Sequence, residues 1–214
     1  MSTLENEHVH EVYEQIASHF SSTRYKPWPR VDQYIKAQEP GSIGADIGGG
    51  NGKYLGYPHV YMIGLDRSLH LTEIAQKKAL NTFDDAARCD GLEIPLRPVD
   101  FAISIAVIHH FSTRERRVQA VKTVLDYINP ENGTALIYVW ALEQASSRRG
   151  WHEGMDQDVM VPWVNNKDPS QKFDRFYHLY RTGELEEDVR SAGGVCLESG
   201  YERDNWWVVI KHSS

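Results

Sequence analysis

Ala45-Asp-Ile-Gly-Gly-Gly-Asn-Gly52 decides the reading of this 214-residue chain. A short apolar strand starting near Ser42 runs into a carboxylate, Asp46, and then into Gly48, Gly50 and Gly52. Glycine permits turns barred to other residues and lets a ligand lie against bare main chain. The spacing narrows the ligand. A dinucleotide fingerprint needs Gly-x-Gly-x-x-Gly, and Lys53 fills its third position here. A carboxylate beside the turn also suits a cation better than a phosphate.

Working outward, Val60 to Leu65 is a second apolar run that ends in Asp66, placed to accept hydrogen bonds from both hydroxyls of a ribose. A third strand, Ala86 to Cys89, leads to Asp90. Val99 to Ile108 reads as a long buried strand ending in His109-His110, and Gly133 to Trp140 as another. In a doubly wound sheet such strand ends converge on one crevice. Predicted helices near 68–79 and 112–128 alternate with the strands, which argues for a parallel sheet. Ser112-Thr-Arg-Glu115 has the form of a capping box for the second of these.

An amphipathic helix over 5–20 places Val9, Val12, Tyr13, Ile16 and Phe20 on one face, and a second runs to about Gln38. Residues 141–180 show no clear period and are too long for a plain connection, so a substrate-binding lid is expected there. A helix over Gly183–Ala192 and a hairpin of Gly194–Ser199 with Trp206–Lys211 close the chain. One domain is expected: a helical cap (1–40), a ligand-binding core (42–140), the lid (141–180) and a C-terminal helix with hairpin (181–214).

Composition fits a globular enzyme, with 41% hydrophobic and 25% charged residues and no apolar run of membrane-spanning length. Cys89 and Cys196 sit in predicted strands and are expected to be buried thiols in a reducing compartment. No ligands are spaced as a zinc site, so no metal is expected. A net charge of −7 is unlike that of most nucleic-acid binders. Basic residues do cluster at Arg114, Arg116 and Arg117, at Arg148 and Arg149, and at Lys172 and Arg175. The first cluster also reads as a solvated helix face, and an RNA substrate would imply a small footprint or help from a basic partner protein.

The acid–glycine stretch resembles motif I of the class I S-adenosylmethionine (SAM) methyltransferases. Other segments resemble the eukaryotic tRNA wobble-uridine methyltransferases that esterify 5-carboxymethyluridine. These include His19-Phe-Ser-Ser-Thr-Arg-Tyr-Lys-Pro-Trp-Pro29, Ala102-Ile-Ser-Ile-Ala-Val-Ile-His-His110 and Thr113-Arg-Glu-Arg-Arg117. Trp140-Ala-Leu-Glu-Gln-Ala-Ser-Ser-Arg-Arg-Gly150, Val161-Pro-Trp-Val164 and Gly200-Tyr-Glu-Arg-Asp-Asn-Trp-Trp207 extend the likeness over nearly the whole chain. Two departures stand out. Gly49 replaces a common cysteine, and the stretch Asn165 to Lys172 is shorter than in some relatives.

The resemblance implies an α/β, Rossmann-like fold: a mixed seven-stranded sheet with its last strand antiparallel and helices on both faces. It implies SAM as cofactor, held by Asp46, Gly48, Gly50, Asp66, Arg67, Asp90, Gly91, Leu92 and Ala106. The substrate carboxylate, ordinarily ionised at neutral pH, needs orientation and a cation rather than a general base. Arg24 is the first candidate for that cation, beside Tyr25, Lys26 and Trp28, with His109 and His110 near the transferring methyl. Arg148 and Arg149 are candidates for phosphate or carboxylate contact, and Trp151 and Trp163 for base stacking or core packing. The implied partners are a tRNA anticodon loop and a small zinc-binding activator protein in an obligate heterodimer, pairing with the edge strand near Ala86–Cys89. The expected location is the cytoplasm, with the nucleus as an addition, and no membrane. Readings left open are a small-molecule methyltransferase, a non-catalytic SAM-binding subunit and, disfavoured by Lys53, an NAD-dependent dehydrogenase.

Overall fold

The computed structural model describes residues 2–23, 26–144, 149–165 and 168–213. Its first helical run joins α1 (Thr3–Glu5), a π-helical turn (Asn6–His10) and α2 (Glu11–Thr23), burying Val9, Val12 and Ile16. The run is longer than expected at both ends; at its start the Ser2 hydroxyl caps it, accepting from the Glu5 N–H at 3.1 Å. Helix α3 (Pro29–Lys36) begins on a proline, whose missing N–H costs nothing in a first turn.

Among the described residues, nine strands follow in two sheets. Strands β1 (Ile43–Ile47), β2 (Tyr61–Asp66), β3 (Asp85–Arg88), β4 (Phe101–Ile105) and β5 (Thr134–Trp140) are parallel. Strand β9 (Asn205–His212) runs antiparallel between β5 and β8 (Gly194–Glu202), giving the order β3-β2-β1-β4-β5-β9-β8. This is the mixed seven-stranded sheet expected. The order reverses between β1 and β4, the place where open α/β sheets form a crevice.

Apolar cores lie on both faces. Helices α3 and α4 (Leu69–Ala79) cover one, through Val31, Ile35 and Ala75 against Met62 and Phe101. Helices α5 (Arg114–Asp126) and α6 (Glu184–Ser191) cover the other, through Val121, Val124, Leu185 and Val189. All five residues of β4 are buried, as a central strand requires.

Several expectations need correction. Strand β4 stops at Ile105, not Ile108: Ala106 turns left-handed (φ 63), and its N–H makes a last bond to Tyr138 O (3.0 Å). His109 and His110 therefore sit in a 3-10 turn (Ile108–His110) rather than at a strand end. The cap of α5 is Thr113, accepting from the Arg116 N–H, because Ser112 is engaged by Glu5 instead. Cys89 and Cys196 are only half-buried. Within 141–180 the chain forms an antiparallel pair, β6 (Asp158–Asn165) and β7 (Asp168–His178).

The N-terminal helical run lies across the sheet end and is anchored on two sides. Glu5, 1% exposed, takes a bidentate fork from Arg116 (2.8 and 2.7 Å) and two donors from Ser112. Glu14 meets Ser68, the N-cap of α4, at 2.5 Å. Val9, His10, Tyr13 and Phe20 thereby roof the crevice.

Candidate active site

One cavity of about 900 Å³ occupies that crevice. Its floor is the turn after β1. Gly48 has φ +78, and a Cβ there would sit 2.3 Å from Val107, so only glycine fits. Asp46 faces the cavity, 1% exposed, and its Oδ2 has no hydrogen-bond partner. Burial pushes its pKa up to about 7; nearby Lys53 opposes the rise and Asp66 adds to it.

Asp66, at the end of β2, accepts from the Gly50 and Ser68 N–H groups, both at 2.9 Å. Burial raises its pKa against those donors. Arg67 holds Asp90 at 2.7 Å, and Gly91 completes this part of the lining. Leu92 is set back: its N–H binds Asp90 Oδ1 (3.0 Å) while its side chain packs against the core. Gly50 and Ala106 line the cavity too.

The two histidines part company. His109 is fully buried, accepts the Trp140 N–H on Nδ1 (3.0 Å), and is not part of the cavity wall. His110 is part of it. Its Nδ1 lies 2.8 Å from Phe176 O, which can only accept, so Nδ1 carries the proton. Burial drives its pKa down to about 3. The ring is neutral, and Nε2 accepts from the Tyr13 hydroxyl at 3.0 Å.

Of the expected substrate contacts, Trp28 lines the cavity and stacks at a tilt on Tyr138 (5.3 Å). Arg149 lines it beside Trp151, its guanidinium 5.3 Å from that ring. Lys26 is exposed and away from the wall. Arg24, Tyr25 and Arg148 lie outside the described residues. Trp163 packs on His19 and Phe20.

The first basic cluster is structural. Arg114 meets Asp188 (3.2 Å), Arg116 holds Glu5, and Arg117, 5% exposed, lies 3.8 Å from Glu184. The sequence placed the key cation of the far wall in a basic cluster with Lys172 but gave it no role in the site. Arg175, 3% exposed, lines the cavity with Tyr13 and Tyr177. Alternation in β7 was its signal, since Arg175 and Tyr177 share a strand face. Among the described residues no cluster of three or more His, Cys, Asp or Glu could hold a metal ion. Nor is any helix among them long and apolar enough to cross a membrane.

The cavity thus joins an acidic, glycine-floored part to an aromatic part that holds Arg149 and Arg175. Residues 45–127 match the family described as "Methyltransferase domain". The chain is 49% identical to the tRNA (carboxymethyluridine(34)-5-O)-methyltransferase of Schizosaccharomyces pombe, over 97% of each chain. It is 45% identical to the protein of the same name in Saccharomyces cerevisiae, over 97% of this chain and 96% of that one. The solved DhpI-SAM-HEP complex superposes with a TM-score of 0.73 at 15% identity, covering 99% of each chain, a likeness of fold.

Proposed function

The chain belongs to the tRNA (carboxymethyluridine(34)-5-O)-methyltransferase family, and from that premise we propose that it methylates the carboxylate of 5-carboxymethyluridine at the wobble position of tRNA, with SAM as the methyl donor. The observation that carries this is that one cavity joins acidic, glycine-floored lining to cationic, aromatic lining.

The residues present fit the cofactor. A buried carboxylate oxygen without a partner, Asp46 Oδ2, is a costly arrangement unless a donor arrives. A cationic ammonium is such a donor. Asp66 would take the ribose hydroxyls, and Asp90 with Arg67 the adenine edge. When bound, SAM supplies a methyl group made electrophilic by its sulfonium.

The protein's own part is positioning. Carboxylates titrate near pH 4, so the substrate arrives ionised and needs no base. His110 agrees with this: neutral, with both ring nitrogens engaged, it orients Tyr13 and takes no proton. The aromatic wall of Trp28, Trp140, Trp151 and Tyr177 offers flat surface against which an unstacked base can lie.

The small zinc-binding activator is part of the same proposal. Strand β3 is a sheet edge, and unpaired edges are templates for an added strand. Leu80 (84% exposed) and Phe83 (89%) stand in the connection that leads into it. An apolar partner covering them would explain their exposure.

The test is direct. Chain and activator are incubated with SAM and tRNA carrying 5-carboxymethyluridine, and the nucleosides are analysed by mass spectrometry. One methyl gained on that nucleoside is expected. Measurable SAM binding without transfer to the tRNA would overturn the proposal.

A further inference from the structure

Arg175 is a buried cation that no ion pair links to a carboxylate among the described residues. Burying a charge is strongly unfavourable unless something compensates. Three aromatic faces supply part of that: Trp163, Tyr177 and Tyr13 lie 4.9, 5.2 and 5.9 Å from its guanidinium carbon. Such cation–π contacts favour the charged form and offset part of its desolvation. The Tyr13 hydroxyl adds a hydrogen bond, accepting from Nη1 at 3.3 Å. The Nε–H has no partner. A fold that only needed filler here would place a neutral side chain.

Direction is fixed as well. His110 holds its proton on Nδ1 toward Phe176 O, so Tyr13 must donate to Nε2 and turn its lone pairs to Arg175. The guanidinium is thereby oriented while remaining part of the cavity wall. Arg149, on the same wall, has its pKa lowered by burial and then by Arg175. Two guanidinium groups facing one space are relieved by an anion.

The geometry points to Arg175 as the receptor of the substrate carboxylate, with Tyr13 and His110 as its positioning residues. This rests on the methyltransferase reading above and assigns the specificity of that same cavity. Arginine suits the task because its planar fork can hold a carboxylate while leaving lone pairs of the anion for reaction. A consequence follows for turnover. The product ester is neutral, so Arg175 binds substrate in preference to product. Because that charge fades as the ester forms, Arg175 stabilises the bound substrate at least as well as the transition state. Its loss should therefore raise KM more than it lowers kcat.

The test uses the full chain with its activator, and anticodon stem-loop RNAs carrying 5-carboxymethyluridine or the neutral 5-carbamoylmethyluridine. The unaltered protein should bind the carboxylate RNA about 10- to 100-fold more tightly than the carboxamide RNA, the value of a charge-assisted bond. Arg175→Gln should bring that ratio close to unity, with SAM affinity unchanged as the measure of intact folding. Tyr13→Phe keeps the ring and removes the hydroxyl, and should lower the ratio by about 3- to 10-fold. A ratio retained in both variants overturns the assignment, as does a kcat loss with KM unaltered. Failure of the unaltered protein to methylate would overturn the proposed function instead, and the binding ratio would still judge Arg175.

Discussion

Asp46→Asn replaces a buried, unpartnered carboxylate by a neutral amide of the same shape, and should make the ligand-free protein more stable while removing its grip on SAM. In the fold the Asp46 pKa stands at about 7 against an ordinary 3.8, chiefly through burial. One pKa unit is about 1.4 kcal/mol, so the ionised side chain costs folding about 4 kcal/mol. The sign follows from proton linkage. Between 3.8 and about 7 the folded state binds more protons than the unfolded one, so stability falls as pH rises across that window. The amide has no such dependence. The stability difference between variant and parent should therefore widen by about 3 kcal/mol from about pH 5 to pH 8. In a chain of this length that is roughly 6–12 °C in Tm. Thermal melts across pH, with and without SAM, read it directly. Calorimetric titration should show SAM affinity about 10- to 100-fold weaker in the variant. Parent affinity should improve as pH rises through 7 and Asp46 ionises. Parallel melting curves at all pH values, or undiminished SAM binding by the variant, would refute the reasoning.

Three further perturbations test other parts of the architecture. Gly48→Ala puts a Cβ 2.3 Å from Val107 on a left-handed residue, so it should cost about 1–3 kcal/mol of stability in denaturant melts and sharply reduce SAM binding. Glu5→Gln breaks the forked pair with Arg116 and should cost about 3–5 kcal/mol. Although burial pushes the Glu5 carboxyl upward, the Arg116 and Ser112 donors outweigh it and hold its pKa below the ordinary 4.5. Its stabilisation is therefore fully present above 4.5 and lost as pH falls through the lower folded value, a decline the variant should lack in acid melts. Phe83→Asp should leave SAM affinity intact yet weaken co-purification with the activator, and unchanged pairing would argue against the edge beside β3.

The strand–turn chemistry of the acidic end was open to sequence reading because it is local. Asp46, Asp66 and Asp90 each follow an apolar run, and the sheet's connectivity does the rest. The cationic end was not. Ala106-Val-Ile continues the apolar run of β4, and nothing in side-chain polarity announces that Ala106 turns left-handed and ends the strand. Arg114, Arg116 and Arg117 looked available for RNA. Their partners Asp188, Glu5 and Glu184 are remote in sequence, and only the fold brings them near. Arg175 failed in the opposite sense. A charged residue among aromatic and polar neighbours reads as solvent-facing, whereas strand pairing opposite Val161 turns it inward.

The internal engagement of Arg116 and Arg117 carries a consequence for how a polyanion meets this surface. Binding of nucleic acid draws much of its free energy from counterions released when protein cations neutralise phosphates. A guanidinium already neutralised by Glu5, or enclosed beside Glu184, releases none. Association with RNA through this face therefore depends only weakly on ionic strength, and the steep salt dependence common among RNA-binding enzymes must arise from cations elsewhere or from a bound partner.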